Sequence, residues 1–125
     1  MSKGTILIVE DEEDIREILG MHLASAGFAI LEAENGAQAI DVIAVQKTDS
    51  EKVRLIICDI RMPEVNGLEA VEFFHDRAPE IPVIVVTGFA DNMLENNLMA
   101  RGVKKFLIKP LEKLQLLQAV EEVLA

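Results

Sequence analysis

With 125 residues, half of them apolar, the chain is long enough for one domain with a single sizeable core and too apolar to be disordered. Its net charge of −10, from 12 basic against 22 acidic side chains, argues against direct nucleic-acid binding, because such a domain repels phosphate backbones. No apolar run nears the roughly 20 residues that span a bilayer. The first such run, Thr5–Val9, is shorter than the apolar region of about 7–15 residues in a secretory signal, and the single Cys58 excludes an internal disulfide. One cytoplasmic domain over residues 1–125, with no membrane contact, is therefore expected.

In chain order, the β-branched run Thr5–Val9 (TILIV) predicts a strand and the amphipathic segment 14–26 predicts a helix. Residues 28–31 (FAIL) predict a second strand and 37–45 a second helix, after which the polar run 46–52 reads as a loop or a frayed helix end. A third strand is expected at 55–58 (LIIC), with helix 68–77 behind it, and a fourth at 83–86 (VIVV), followed by helix 93–100. Lys105–Ile108 (KFLI) and 111–124 supply the last strand and helix. Strand–helix alternation repeated in this way predicts an α/β fold, a parallel sheet wrapped by helices on both faces. Continuously apolar runs suit strands buried on both sides.

Smaller signals refine this picture. Gly27 and Gly102 each stand between a helix and the next strand, which suits a helix C-cap. Pro82 precedes the fourth strand, where its missing N–H matters least. Asp14 is an N-cap candidate for the first helix. Met93, Leu94 and Leu98 are expected to face the core, and Cys58 to be a buried small side chain pointing away from Asp59. His22 and His75 read as surface or boundary residues with no ligand spacing between them.

Open α/β sheets bind ligands beyond the carboxyl ends of their strands, so the residues there carry the functional reading. Glu10 and Asp11 follow the first strand, Asp59 the third, Thr87 the fourth, and Lys109 and Pro110 the fifth. Three carboxylates against one ammonium leave an excess of two negative charges in a small cleft. Like charges about 4 Å apart repel by roughly 4 kcal/mol at an effective dielectric near 20. Such a cluster must take up a proton or a cation, and a hard divalent ion with oxygen ligands, Mg²⁺ above all, neutralises it. An Asp carboxylate is also an established nucleophile toward phosphoryl groups. With Lys109 and the Thr87 hydroxyl beside it, the set has the positioning and electrostatics that phosphoryl transfer needs.

Together, Asp11 after a strand, Asp59 with Met62, Pro63 and Gly67 following, Thr87, and Lys109-Pro110 resemble the response-regulator receiver domains of two-component signalling. The stretches Val9-Glu10-Asp11-Glu12, Asp59-Ile60-Arg61-Met62-Pro63 and Phe106-Leu107-Ile108-Lys109-Pro110 carry a similarity that runs from Ile6 to Val123. The resemblance implies a flavodoxin-like, doubly wound, five-stranded parallel sheet in the order 2-1-3-4-5 with five helices. It implies that Asp59 accepts the phosphoryl group and that Asp11 and Asp59 bind Mg²⁺ directly. Glu10 would act through water, and the Arg61 carbonyl would be a further ligand. Lys109 would contact the phosphoryl oxygens and Thr87 would hydrogen-bond to one of them. Phe106 matches the aromatic that moves with Thr87 in a conformational switch, and the Lys109–Pro110 bond is expected to be cis. The implied partners are a histidine kinase or phosphotransfer protein and an output domain or protein. Gly88, where many members have Ala, and a longer stretch between the second and third strands depart from the pattern.

Each feature has a plain reading by itself. Acids in Glu10–Asp14 suit a helix N-terminus, Asp59 suits a turn, and Thr87 and Lys109 are ordinary strand-end residues. Taken jointly, those readings need four coincidences on one rim. A receiver-like module working by constitutive contacts is the alternative, but such modules usually lose an acid or the lysine. An Asp-nucleophile phosphohydrolase places a second acid two residues after its nucleophile, where this chain has Arg61. A flavodoxin wants a Ser/Thr/Gly-rich loop after the first strand and aromatic walls; here there are acids, and neither Trp nor Tyr. No P-loop pattern occurs.

Overall fold

The computed structural model describes residues 3–45, 52–60, 66–88 and 91–125, with the backbone alone for 66–70. The elements are β1 (Thr5–Val9), α1 (Glu13–Ser25), β2 (Ala29–Ala33), α2 (Gly36–Ala44), β3 (Val53–Asp59), α3 (Asn66–Arg77), β4 (Val83–Thr87), α4 (Asn92–Ala100), β5 (Lys105–Ile108) and α5 (Lys113–Leu124). All strand pairings are parallel, and the sheet order is β2-β1-β3-β4-β5. The doubly wound order that the resemblance implied is thus the one observed.

Alternation along the central strands divides the core into two layers. Leu7, Val9, Ile56, Cys58, Val83 and Val85 face one side, packing with Ala39, Val71, Phe74, Leu94 and Leu98 from α2, α3 and α4. Ile6, Ile8, Leu55, Ile57, Ile84 and Val86 face the other and meet Leu19, Leu23, Leu116, Ala119 and Val120 from α1 and α5. Each buried Val, Leu, Ile or Phe among these contributes roughly 1.5–3 kcal/mol, so this two-sided burial fixes the register of the middle strands. β2 lies at the sheet edge and exposes Ala29, Leu31 and Glu32.

Local chemistry sets the element ends. Gly27 (φ 101°) and Gly102 (φ 96°) adopt the left-handed conformation after α1 and α4. The next residues return to the helices, Phe28 N–H donating to Leu23 O at 3.2 Å and Val103 N–H to Leu98 O at 3.1 Å. Asn35 and Asp91 cap α2 and α4 by accepting from the N–H groups of Gln38 and Leu94. Pro82 precedes β4 and its carbonyl accepts from Ile56 N–H at 3.0 Å.

Three expectations are corrected. The N-cap position of α1 belongs to Glu12, because its N–H turns back to the Glu10 carboxylate at 3.2 Å and the helix starts one residue later; Asp14 lies in the first turn. Met93 is exposed, since the Asp91 cap turns Leu94 and Leu98 inward and Met93 away. α5 starts at Lys113, not 111, because Leu111 packs against the α1/α5 side of the core and Glu112 is extended (ψ 152°). Of the expected loop at 46–52, only Lys52 is among the described residues.

The strands all run the same way, so their first and last residues form opposite poles. At the pole where strands begin, a groove of about 960 Å³ is lined by Lys52, Arg54, Arg77 and Lys104, with Glu80 the single acid among its described lining residues.

Candidate functional site

The pole where strands end collects Glu10, Asp11, Asp59, Thr87 and Lys109, and backbone bonds hold it in register. Glu10 N–H donates to Ala33 O at 3.0 Å, Ile60 N–H to Val86 O at 3.2 Å, and Lys109 N–H to Thr87 O at 2.8 Å. Glu10, Thr87 and Lys109, and Ile60 next to Asp59, are thus tied to the neighbouring strand at the point where the sheet opens. Glu10 and Thr87 are buried, at 2% and 1% exposure. One carboxylate oxygen each from Glu10, Asp11 and Asp59 lies within 4.8 Å of the others. The Lys109 ammonium reaches two of the three acids, with Nζ 2.7 Å from Glu10 Oε1 and 3.3 Å from Asp59 Oδ2. The Lys109–Pro110 peptide bond is cis, as the resemblance implied.

The charges are strongly interdependent. Burial pushes the Glu10 carboxyl up to about 7; the Lys109 hydrogen bond opposes this, and the Asp59 charge adds to it. Burial pulls Lys109 down, but its hydrogen bond to Glu10 and the charges of Asp59 and Glu10 outweigh this and leave it raised. Cys58 is pushed up to about 12 by burial and by the neighbouring carboxylates, so it stays a thiol and takes no part. Its side chain belongs to the α2–α4 side of the core, as expected. Among the described residues three carboxyl groups gather around the Lys109 ammonium. A cluster of oxygen donors of this kind fits a hard divalent cation.

Thr87 pairs with Ile108, and Phe106 pairs with Val85 two residues back along β4. Phe106 is half-buried and packs against the core layer that contains Val85, the layer that Thr87 shares by alternation. Arg61, Met62 and Pro63 lie outside the described residues, so the structure does not place the expected carbonyl ligand. His22 is half-buried and His75 exposed, neither on the rim.

Sequence reasoning missed Arg16. From α1 its guanidinium donates to the Glu10 carbonyl at 2.8 Å and to Glu32 Oε1 at 2.9 Å. No local pattern distinguishes it from a solvated helix arginine; only the return of β2 alongside β1 brings Glu32 within reach.

A parallel sheet in this order, with acids and a lysine gathered at its carboxyl rim, defines a receiver. The chain belongs to the response regulator receiver domain family, which matches residues 6–121. It is 33% identical over 119 residues to the transcriptional regulatory protein GlrR of Escherichia coli, covering 95% of this chain and 26% of that protein. It is 34% identical over 106 residues to a cyclic di-GMP phosphodiesterase of Thermotoga maritima, covering 85% of this chain and 27% of that protein. The chain thus spans about a quarter of these curated relatives. Among solved structures, a CheY-like response regulator receiver domain protein from Methanospirillum hungatei superposes with a TM-score of 0.88 at 26% identity, covering 98% of this chain and 94% of that one.

Proposed function

We propose that Asp59 is the phosphoacceptor of this receiver and that Glu10, Asp11 and Asp59 hold the Mg²⁺ that assists it, with the Arg61 carbonyl as a further ligand. The observation that carries the reading is the convergence of three carboxylates within 4.8 Å, with Lys109 bridging two of them. A carboxylate oxygen of Asp59 attacks phosphorus as the bond from phosphorus to the donor's imidazole nitrogen breaks, and that nitrogen keeps the electron pair. Lys109 meets the charge on the transferred oxygens and the Thr87 hydroxyl donates to one of them. Bound Mg²⁺ supplies charge neutralisation to the acids and the phosphoryl oxygens. The same groups, with water as the nucleophile, account for dephosphorylation. Retention of every rim group favours phosphorylation over a constitutive binding module.

A histidine kinase or phosphotransfer protein is the partner this chemistry requires, with no described histidine on the rim to serve as an internal donor. The acidic balance supports a protein partner for this domain in preference to nucleic acid. Among the described residues no helix is long and apolar enough to cross a membrane, and a cytoplasmic setting suits a kinase partner. Output runs through Thr87 and Phe106 to the face made by the fourth helix, the fifth strand and the fifth helix.

Intact-mass analysis after incubation with a small phosphodonor and Mg²⁺ tests the assignment. One base-labile phosphoryl group is expected in the wild type and none in Asp59→Asn. Equal incorporation in that variant would falsify it.

A further inference from the structure

Arg16 stands beside the rim but has no part in the chemistry described so far. The Arg16 side chain is only 12% exposed and makes two directed bonds, to the Glu10 carbonyl at 2.8 Å and to Glu32 at 2.9 Å. An exposed helix arginine paired with a half-exposed glutamate contributes about 0–1 kcal/mol and carries no function. The second bond differs, because its acceptor is the main chain of a buried rim acid. The Glu10 N–H is already held by Ala33 O, so the Glu10 main chain is gripped on both sides by groups from the end of β2 and from α1. The peptide joining Glu10 to Asp11 is planar, so fixing the Glu10 carbonyl also fixes the plane from which Asp11 departs.

We propose that Arg16 is a positioning residue that, oriented by Glu32, holds the Glu10–Asp11 peptide where both carboxylates converge with Asp59 on a divalent cation. This rests on the reading of the rim as an Mg²⁺-assisted phosphoacceptor site. Two bonds from one planar guanidinium demand arginine; lysine keeps the charge but loses the fork.

Calorimetric titration with Mg²⁺ alone, beside thermal unfolding without metal, tests this on wild type, Arg16→Ala, Arg16→Lys and Glu32→Gln, with Asp11→Asn as control. Arg16→Ala is expected to weaken Mg²⁺ about tenfold, in the range typical of residues that orient metal ligands. Arg16→Lys should recover little of that loss and Glu32→Gln should show a smaller one. The phosphorylation rate of Arg16→Ala should return to the wild-type value at saturating Mg²⁺. Full recovery by Arg16→Lys, or a lowered melting point with unchanged Mg²⁺ affinity, overturns the inference. Lysine and Glu32→Gln carry the test if Arg16→Ala does not fold. Absence of Mg²⁺ binding in the wild type overturns the rim reading and this inference with it, whereas equal binding in wild type and Arg16 variants overturns this inference alone.

Discussion

Lys109 Nζ and Glu10 Oε1, from residues 99 apart in the chain, meet at 2.7 Å, and the Glu10 side chain is the more deeply buried of the two (1% against 19% exposed). The ends of β1 and β5 are therefore joined by charge across the strands between them.

Removing the ammonium takes away the cation that Glu10 and Asp59 share. Lys109→Met is expected to lower stability by roughly 1–3 kcal/mol at pH 8, the range for a buried polar group that loses its partner. The loss should shrink toward pH 5, where Glu10 can hold a proton. Urea unfolding at the two pH values measures both effects, and a larger loss at pH 5 would contradict the pairing.

Glu10 also sets a pH dependence. Its carboxyl moves from 4.5 in the unfolded chain to about 7 in the fold, so the folded state binds its proton more tightly. This contribution to stability is present in full below 4.5 and is lost as the pH rises through about 7. Above that pH the ionised cluster needs a cation. Mg²⁺ should therefore raise the melting temperature more at pH 8 than at pH 5. A cation that binds only the fold adds about 2.7 kcal/mol at a hundredfold excess over its dissociation constant. Equal shifts at both pH values would count against the acid cluster as its site.

Thr87→Ala should still accept a phosphoryl group at Asp59 but transmit it poorly. Amide exchange around Phe106 and α4 before and after phosphorylation should change less than in the wild type, because the phosphoryl group can bias two states only through contacts that differ between them. A response of full size in the variant would dismiss the Thr87 route.

Gly88 and Gly102 should respond in opposite directions to alanine. Among the described residues nothing lies within 4 Å of a Cβ at Gly88, and its φ is not positive, so Gly88→Ala should be neutral or stabilising by about 0.4–1 kcal/mol through the unfolded chain. Gly102 has φ 96° and a Cβ there would sit 3.2 Å from the His75 ring, so Gly102→Ala should cost roughly 1–2 kcal/mol. Melting temperatures of the two variants decide this, and a tolerated Gly102→Ala would refute the strain argument.

The sheet was legible because burial on both faces leaves a contiguous apolar signature in β1, β3 and β4. The rim was legible because parallel strands put their following residues on one edge. What escaped was decided by capping bonds at the helix starts and by one contact made across the paired strands. Glu12 became the N-cap through its N–H bond to the Glu10 carboxylate, which moved Asp14 into the helix. Met93 and Leu94 are adjacent apolar residues at the start of the fourth helix, and the Asp91 cap sets the phase that turns Leu94 inward and Met93 out. Arg16 acquired its role from Glu32, on a strand that reaches it only after β2 has paired with β1.

The basic groove at the opposite pole gives the two ends of the sheet local charges of opposite sign. Among the described residues Lys52, Arg54, Arg77 and Lys104 stand where strands begin, and Glu10, Asp11 and Asp59 where they end. A visiting protein with a basic patch is turned so that this patch meets the acid rim and not the groove. That guidance reaches only as far as ionic screening permits, about 8 Å at physiological salt, so it shapes the final approach of a donor and fades as salt is added.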